Sequence, residues 1–159
     1  GVQTCALPIY PTKEQAYRSV DGVESKGIEF ELDGKITNNW DMSFGITHFS
    51  AEDAAGKKVE TLASRTTANL FTKYTLDKWS VGGGVNYKSA FYTGEGSQKI
   101  TQDAYALANL MVAYDIDQNI KAQLNINNLF DKKYYEGIGV NSMVYGEPRN
   151  ATLTFRYQF

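Results

Sequence analysis

The chain has 159 residues, enough for one domain with a core, and a net charge of −2 with no basic block, which argues against nucleic acid as a partner. Aromatic residues make up 13% of it, including 11 Tyr, yet the mean hydropathy is −0.41; that pairing suits strands with one wet face and one apolar face. No uncharged apolar run approaches the ~18 residues of a membrane helix, whereas ~9–11 alternating residues suffice for a membrane strand.

The first nine residues, "GVQTCALPI", carry the only cysteine, Cys5, and show neither alternation nor turn logic. Val2 to Ile9 can be written in codons as GTG CAG ACG TGT GCT CTT CCG ATC, which resembles the end of a short-read sequencing adapter. Residues 1–9 are therefore expected not to be native protein; the alternative is an irregular loop. Without Cys5 the chain holds no disulfide, thiol nucleophile or thiolate metal site. No stretch has the charged start, apolar centre and small-residue cleavage site of a signal peptide, so an exported protein with this sequence is expected to be a fragment.

Seven alternating segments follow. The first runs from about Tyr17 to Asp33, where Ile28, Phe30 and Leu32 oppose Glu29, Glu31 and Asp33. Asp21-Gly22 looks like a hairpin turn, but one long strand with a bulge at Gly22 or Gly27 fits the connection pattern better. A turn at 34–39 leads to the second, with Trp40, Met42, Phe44 and Ile46 on one side. The third, about Arg65–Leu76, alternates more weakly, since Phe71 falls among Asn69, Lys73 and Thr75. Asp77-Lys78 turns the chain into the fourth, where Trp79, Val81, Val85 and Tyr87 share a face. The fifth covers about Ala104–Tyr114, and the sixth sets Ile120, Ala122, Leu124 and Ile126 against polar residues. The last places Ala151, Leu153, Phe155, Tyr157 and Phe159 opposite Thr152, Thr154, Arg156 and Gln158. No segment sustains a helical period, so the chain reads as all-β.

Short turns (34–39, 77–78, 115–118) alternate with long polar loops (51–63, 93–103, 131–148). In an up-and-down sheet this puts all short turns at one end, the asymmetry of outer-membrane barrels. Trp40 and Trp79 follow short turns, while Tyr74, Tyr114 and Tyr157 precede short turns or the terminus; together they predict an aromatic belt at one membrane interface. Phe49, Phe91, Tyr92, Tyr105, Tyr134 and Tyr135 lie near the long-loop ends and are expected to form the second belt. A soluble sandwich with these aromatics in its core is the competing reading. Under the membrane reading, the last strand turns its apolar face to lipid and closes a barrel by pairing with a partner strand.

Four runs resemble TonB-dependent ferric-siderophore receptors of the outer membrane: "GVESKGIEFELDGKITNNW" (22–40), "SRTTANLFTKYTL" (64–76), "NINNLFDKKYY" (125–135) and "VYGEPRNATLTFRYQF" (144–159). The resemblance covers about residues 12–159 and is nearest to receptors for hydroxamate siderophores of the coprogen, ferrioxamine or pyoverdine type. It implies that residues 10–159 form about seven antiparallel strands, the C-terminal third of a transmembrane barrel of about 22 strands. It implies further an N-terminal plug inside the barrel and a TonB box, both absent here, and a Gram-negative outer-membrane location. The implied partners are a ferric siderophore as transported ligand, outer-membrane lipid, the plug, and the TonB complex acting through the missing N-terminal region. Seven being odd, the first and last strands run the same way, and sealing them together would need a parallel seam.

No enzyme chemistry is expected. His48 is the only histidine, so no histidine metal cluster or Ser-His-Asp triad can be assembled; a structural place near the outer rim is expected of it. Glu29 and Glu31 share a strand face, which fits lumen charges meeting Arg or Lys of the plug better than an acid/base pair. Gly82-Gly83-Gly84 precedes no helix and suggests curvature or close approach rather than a phosphate cradle. Catalytic, cofactor and metal residues are accordingly expected to be none. Siderophore contacts, if this stretch makes any, are expected from Phe91, Tyr92 and Tyr145, whose rings suit a bulky chelate; the alternative for them is an interface belt or loop packing. Two further readings stay open: a self-contained eight-stranded membrane barrel counting 10–20 as a strand, and a soluble lipocalin-like carrier.

Overall fold

The computed structural model describes residues 22–58, 63–94, 97, 99–139 and 142–159, together with three short strands before them. In chain order the strands are β1 (Gln3–Thr4), β2 (Ile9–Pro11), β3 (Tyr17–Ser19), β4 (Glu24–Thr37), β5 (Trp40–Glu52), β6 (Thr66–Leu76), β7 (Trp79–Lys88), β8 (Phe91–Thr93), β9 (Ile100–Gln102), β10 (Tyr105–Asp115), β11 (Ile120–Asn127), β12 (Tyr135–Ile138), β13 (Met143–Tyr145) and β14 (Asn150–Tyr157). The seven long strands pair in the order β4-β5-β6-β7-β10-β11-β14, with β1 added beside β4. Every pairing is antiparallel, so the sheet is an up-and-down meander of the expected number of strands.

The register carries one apolar surface across the whole sheet, because directly opposed residues share a face. Phe30 opposes Ile46 and Phe44 opposes Leu70. Leu70 then opposes Val85, Val81 opposes Val112, Val112 opposes Leu124, and Leu124 opposes Leu153. Among the described residues nothing packs on this surface: Ile28 is 76% exposed, Phe155 66% and Leu153 60%. The opposite face presents Glu29, Glu31, Asn69, Lys73, Asn86, Gln123 and Thr154 at the intervening positions. Among the described residues only five hydrophobic side chains are buried, and none of the large ones fully. A soluble sandwich buries its aromatic face; this sheet leaves it bare, as a lipid-facing wall does.

The structure corrects the first strand at both ends. Tyr17–Ser19 is not part of it but pairs with Ile9–Pro11, and β4 begins at Glu24. Gly27 opposes Phe49 in regular register; the bulge lies instead between Lys35 and Thr37, where Ile36 is the extra residue. That bulge hides the strand's last residues from an alternation count, and the turn shrinks to Asn38-Asn39. At the N-terminus, Gln3 and Thr4 oppose Ser25 and Glu24 at the sheet edge. The rest of residues 1–8, on which most of the adapter reading falls, lies outside the described residues, as does Asp21 of the Asp21-Gly22 pair.

Phe71 explains the weak alternation of β6 and the glycine run of β7 together. Its ring lies on the polar face across Gly82 and Gly84, 3.1 Å and 3.3 Å from where their Cβ atoms would stand. Two missing side chains make the flat bed on which one aromatic rests, a close-approach use of strand glycine.

The short turns are stitched to the strands beside them. Asn39 accepts the Thr75 N–H at 2.8 Å through its carbonyl and donates its amide to the Thr75 carbonyl at 2.9 Å. Asn119 does the same to Gln158, at 2.9 and 2.8 Å. Between them the Lys78 carbonyl accepts from the Asp115 N–H at 2.8 Å, and Lys78 Nζ donates to the Ile116 carbonyl at 3.2 Å. Asp77 takes a φ of 50° in its two-residue turn, and Asp117 Oδ1 accepts from the N–H groups of Asn119 and Ile120. The expected belt stands at this end. Trp40 opposes Tyr74, the rings of Trp79 and Tyr114 lie 4.6 Å apart, and Trp40 donates its indole N–H to the Thr72 hydroxyl.

Candidate ligand-facing site at the long-loop end

The long loops are folded rather than slack. Two of them close into hairpins, β8–β9 and β12–β13, and the loop at 51–63 begins with a turn in which Asp53 Oδ1 accepts from the N–H groups of Ala55 and Lys57. Gln102 joins the two hairpins: it is buried, and its Oε1 accepts the Tyr135 N–H at 2.8 Å.

Under that joint sits a small apolar cluster of Phe91, Tyr105 and Ile138, with Tyr134 and Tyr135 packed against it. Phe91 and Tyr105 are 6% and 4% exposed, and the rings of Tyr105 and Tyr134 lie 4.5 Å apart. Phe91, Tyr105, Tyr134 and Tyr135 therefore do not form the second membrane belt expected of them with Phe49 and Tyr92. Hairpins folding over the end of the sheet turn them toward one another instead of toward lipid. His48 holds its Nδ1 2.8 Å from the Thr66 hydroxyl at the same end.

The motif residues of 125–135 and 144–150 hold the longest loop in place. Asn128 is buried and takes a φ of 48°. Its amide nitrogen donates to the carbonyls of Lys132 and Glu147 at 3.0 and 2.9 Å, and its amide oxygen accepts the Lys132 N–H at 2.8 Å. Its own N–H donates to Asn109 Oδ1 at 3.1 Å, tying the loop to β10. Asp131, at a φ of 51°, accepts the Arg149 N–H at 3.0 Å and pairs with Lys133 at 3.1 Å. Those two contacts, the Arg149 backbone bond first, hold its carboxyl below the usual carboxylate range. Gly146 lies flat against the Tyr134 ring, and any side chain there would run into it.

The three candidate contact residues separate into two kinds. Phe91 is inside the cluster and supports it. Tyr92 carries the Lys99 ammonium 4.0 Å above its ring, a cation–π contact. Tyr145 is 75% exposed and lies beside Tyr135, ring centroids 4.8 Å apart, with the Tyr135 hydroxyl donating to that of Tyr145 at 3.4 Å. Sequence reasoning missed Tyr135 as the partner of Tyr145, and Gln102 and Asn128 as the supports. Asn128 was legible in the "NNLFD" run as a motif residue; Gln102 has no local signal.

Burial raises the Tyr134 phenol above its ordinary value, and the bond to Tyr145 raises that of Tyr135. Both stay protonated near neutral pH. They offer ring faces and O–H donors, not phenolate oxygens for a metal ion. Among the described residues no group of His, Cys, Asp and Glu is placed to hold a metal.

A family model described as "TonB dependent receptor-like, beta-barrel" matches residues 2–129. The chain is 41% identical over 150 residues to the ferric-pyoverdine 358 receptor of Pseudomonas putida, covering 91% of this chain and 18% of that protein. It is 36% identical over 163 residues to the ferripyoverdine receptor of Pseudomonas aeruginosa, covering 96% and 20%. Among solved structures it superposes on the pyoverdine outer membrane receptor FpvA from P. aeruginosa bound to pyoverdine, with a TM-score of 0.83 and 32% identity, over 100% of this chain and 25% of that one. The chain thus spans about a fifth of the length of the curated relatives it matches.

Proposed function

Because this chain belongs to the TonB-dependent receptor β-barrel family, we propose that it forms part of the wall of a Gram-negative outer-membrane receptor that takes up a ferric siderophore of the pyoverdine kind. The family is one of receptors, not enzymes. The observation that carries the reading is the two-sided sheet, bare and apolar on one face and polar on the other, with short turns at one end and folded loops at the other. In the proposed receptor the apolar face meets lipid, the polar face looks into the lumen toward a plug, and the loops face outward. TonB acts through a region outside residues 10–159. Tyr145, exposed, and Tyr92, half-buried, are the proposed ligand-facing residues, with Phe91 buried nearby; their rings suit contact with a bulky chelate. The pyoverdine choice rests on the names of the relatives.

A lipocalin-like carrier turns its apolar face inward; the family match speaks against it. An eight-stranded closed barrel is also not what forms: among the described residues β14 pairs only with β11, and the sheet stays open.

The test is to express the complete gene carrying this segment in a Pseudomonas strain lacking its own pyoverdine receptors and to measure radioiron uptake. Accumulation from ferric pyoverdine that disappears when TonB is deleted is the expected result. No accumulation from any pyoverdine or simple hydroxamate, with the protein present in the outer membrane, would reject the function.

The origin of residues 1–9 is a separate proposal: that they are translated adapter. Their codon match and patternless sequence support it, while the pairing of Gln3–Thr4 and the family match from residue 2 weigh against it. Finding the same nine residues in the intact genomic gene would refute it.

A further inference from the structure

Two tyrosine pairs stand at the long-loop end, and they differ in what can reach them. The rings of Tyr105 and Tyr134 lie 4.5 Å apart, but Tyr105 is 4% exposed, and its hydroxyl is enclosed with no hydrogen-bond partner among the described residues. Tyr135 and Tyr145 lie nearly as close, with 4.8 Å between ring centroids and 41° between ring planes. Their hydroxyls meet at 3.4 Å, and here Tyr145 is exposed and Tyr135 half-buried.

The backbone holds this second pair in place. Tyr135 and Tyr145 are directly opposed in the β12–β13 hairpin, where side chains on one face are nearest neighbours. Gln102 of the adjoining hairpin accepts the Tyr135 N–H at 2.8 Å, and the Gly146 N–H donates to the Tyr134 carbonyl at 2.9 Å. Both rings are thus anchored beside their own Cα atoms, and the two phenols meet hydroxyl to hydroxyl. The ortho carbons, one bond further along each ring, come together with them.

We propose that Tyr135 and Tyr145 form an oxidative coupling site, at which a peroxidase-type oxidant with hydrogen peroxide as electron acceptor joins them as dityrosine. Each phenol gives up one electron, and its O–H proton goes to water. The two phenoxyl radicals pair by forming one C–C bond between ortho carbons, and the hydrogens on those carbons move to the oxygens, which restores both phenols. The two electrons and two protons released reduce one hydrogen peroxide to two waters. Rings held side by side couple with each other in preference to a tyrosine of another molecule, because their effective concentration is high. The bond staples a hairpin whose ladder has three paired positions and an irregularity next to Tyr135. Tyr105 and Tyr134 stay unjoined because the oxidant does not reach the Tyr105 hydroxyl.

The test exposes the intact receptor in detergent micelles to a haem peroxidase and hydrogen peroxide, reads dityrosine fluorescence, and places the link by peptide mass spectrometry. The expected product is a pair of peptides joined through Tyr135 and Tyr145 and lighter by two hydrogens. Tyr135→Phe and Tyr145→Phe keep the ring contact but lack the phenol, and each should lower the yield to background. Tyr157→Phe, which removes an exposed phenol at the opposite end of the sheet, should leave it unchanged. Oxidation that leaves Tyr135 and Tyr145 unlinked, in a receptor of normal heat-modifiable mobility, would overturn the site. A link confined to Tyr105 and Tyr134, or one formed only between two receptors, would overturn it too. None of these outcomes bears on siderophore uptake, and failure of uptake would leave the coupling site standing.

Discussion

Asn128 shows how much one side chain can do when its backbone is bent the right way. A φ of 48° turns its amide inward, where four hydrogen bonds gather two stretches of loop and β10 around it. Asn is among the few residues that adopt this conformation without large penalty. Asn128→Ala keeps only the backbone bond, and its cost is expected at about 2–4 kcal/mol, read as faster amide exchange across 128–149. Asn128→Gly, which suits the φ but also lacks the amide, should recover about 1 kcal/mol of that loss. Asp131 adds a pH-dependent clasp. Its folded pKa is lowered, so its contribution is fully present above the unfolded value of about 3.9 and is lost as pH falls through the folded value below it. Limited proteolysis of the 131–149 loop should therefore be flat from pH 7 down to about pH 4 and rise only below, and Asp131→Asn should remove that dependence.

At the scale of the element, the last strand makes the sharpest claim about sides. Leu153 lies on the bare face opposite Leu124, and Thr152 on the polar face opposite Asn125. In the intact receptor Leu153→Arg should cost about 2–4 kcal/mol if it sits near the bilayer midplane, and Thr152→Arg much less. Equal losses, measured by urea unfolding in lipid, would overturn the face assignment, and a larger loss at Thr152 would reverse it. Long strands were legible because a membrane wall enforces a period of two over eight or more residues, and β7 and β11 begin at Trp79 and Ile120, where the alternation begins. The period failed at the start of the first strand, where Tyr17–Ser19 pairs elsewhere, at the Ile36 bulge, and at Phe71, whose place on the polar face makes sense only beside Gly82 and Gly84. The hairpins β8–β9 and β12–β13 were not legible at all. Three or four residues carry no periodic signal, and what joins them, Gln102 to the Tyr135 N–H, spans 33 positions of sequence. For the same reason Tyr145 and Tyr135 were read as separate features, a contact residue and a belt residue, although their rings lie together.

For the whole molecule the governing fact is an open sheet. Among the described residues β14 exposes one backbone edge and β4, apart from the two residues of β1, the other. In lipid each unsatisfied N–H or C=O costs several kcal/mol, so residues 10–159 refolded alone in detergent should aggregate or pair edge to edge rather than yield a monomeric barrel. Tryptophan quenching at Trp40 and Trp79 should show no tight binding of ferric hydroxamate; micromolar binding by this piece would contradict its role as a wall completed by other strands. The three turn stitches bear on a different property, how such a wall carries mechanical load. Strands part easily when peeled from a free end, one hydrogen bond at a time, and resist when slid lengthwise, all bonds at once. Peeling would start at the short-turn end, where Gln158 lies beyond the last residue of β14. There Asn119 grips it by both its N–H and its carbonyl, as Asn39 grips Thr75. A load applied along the strands at that end therefore meets these bonds together, in shear, rather than one after another.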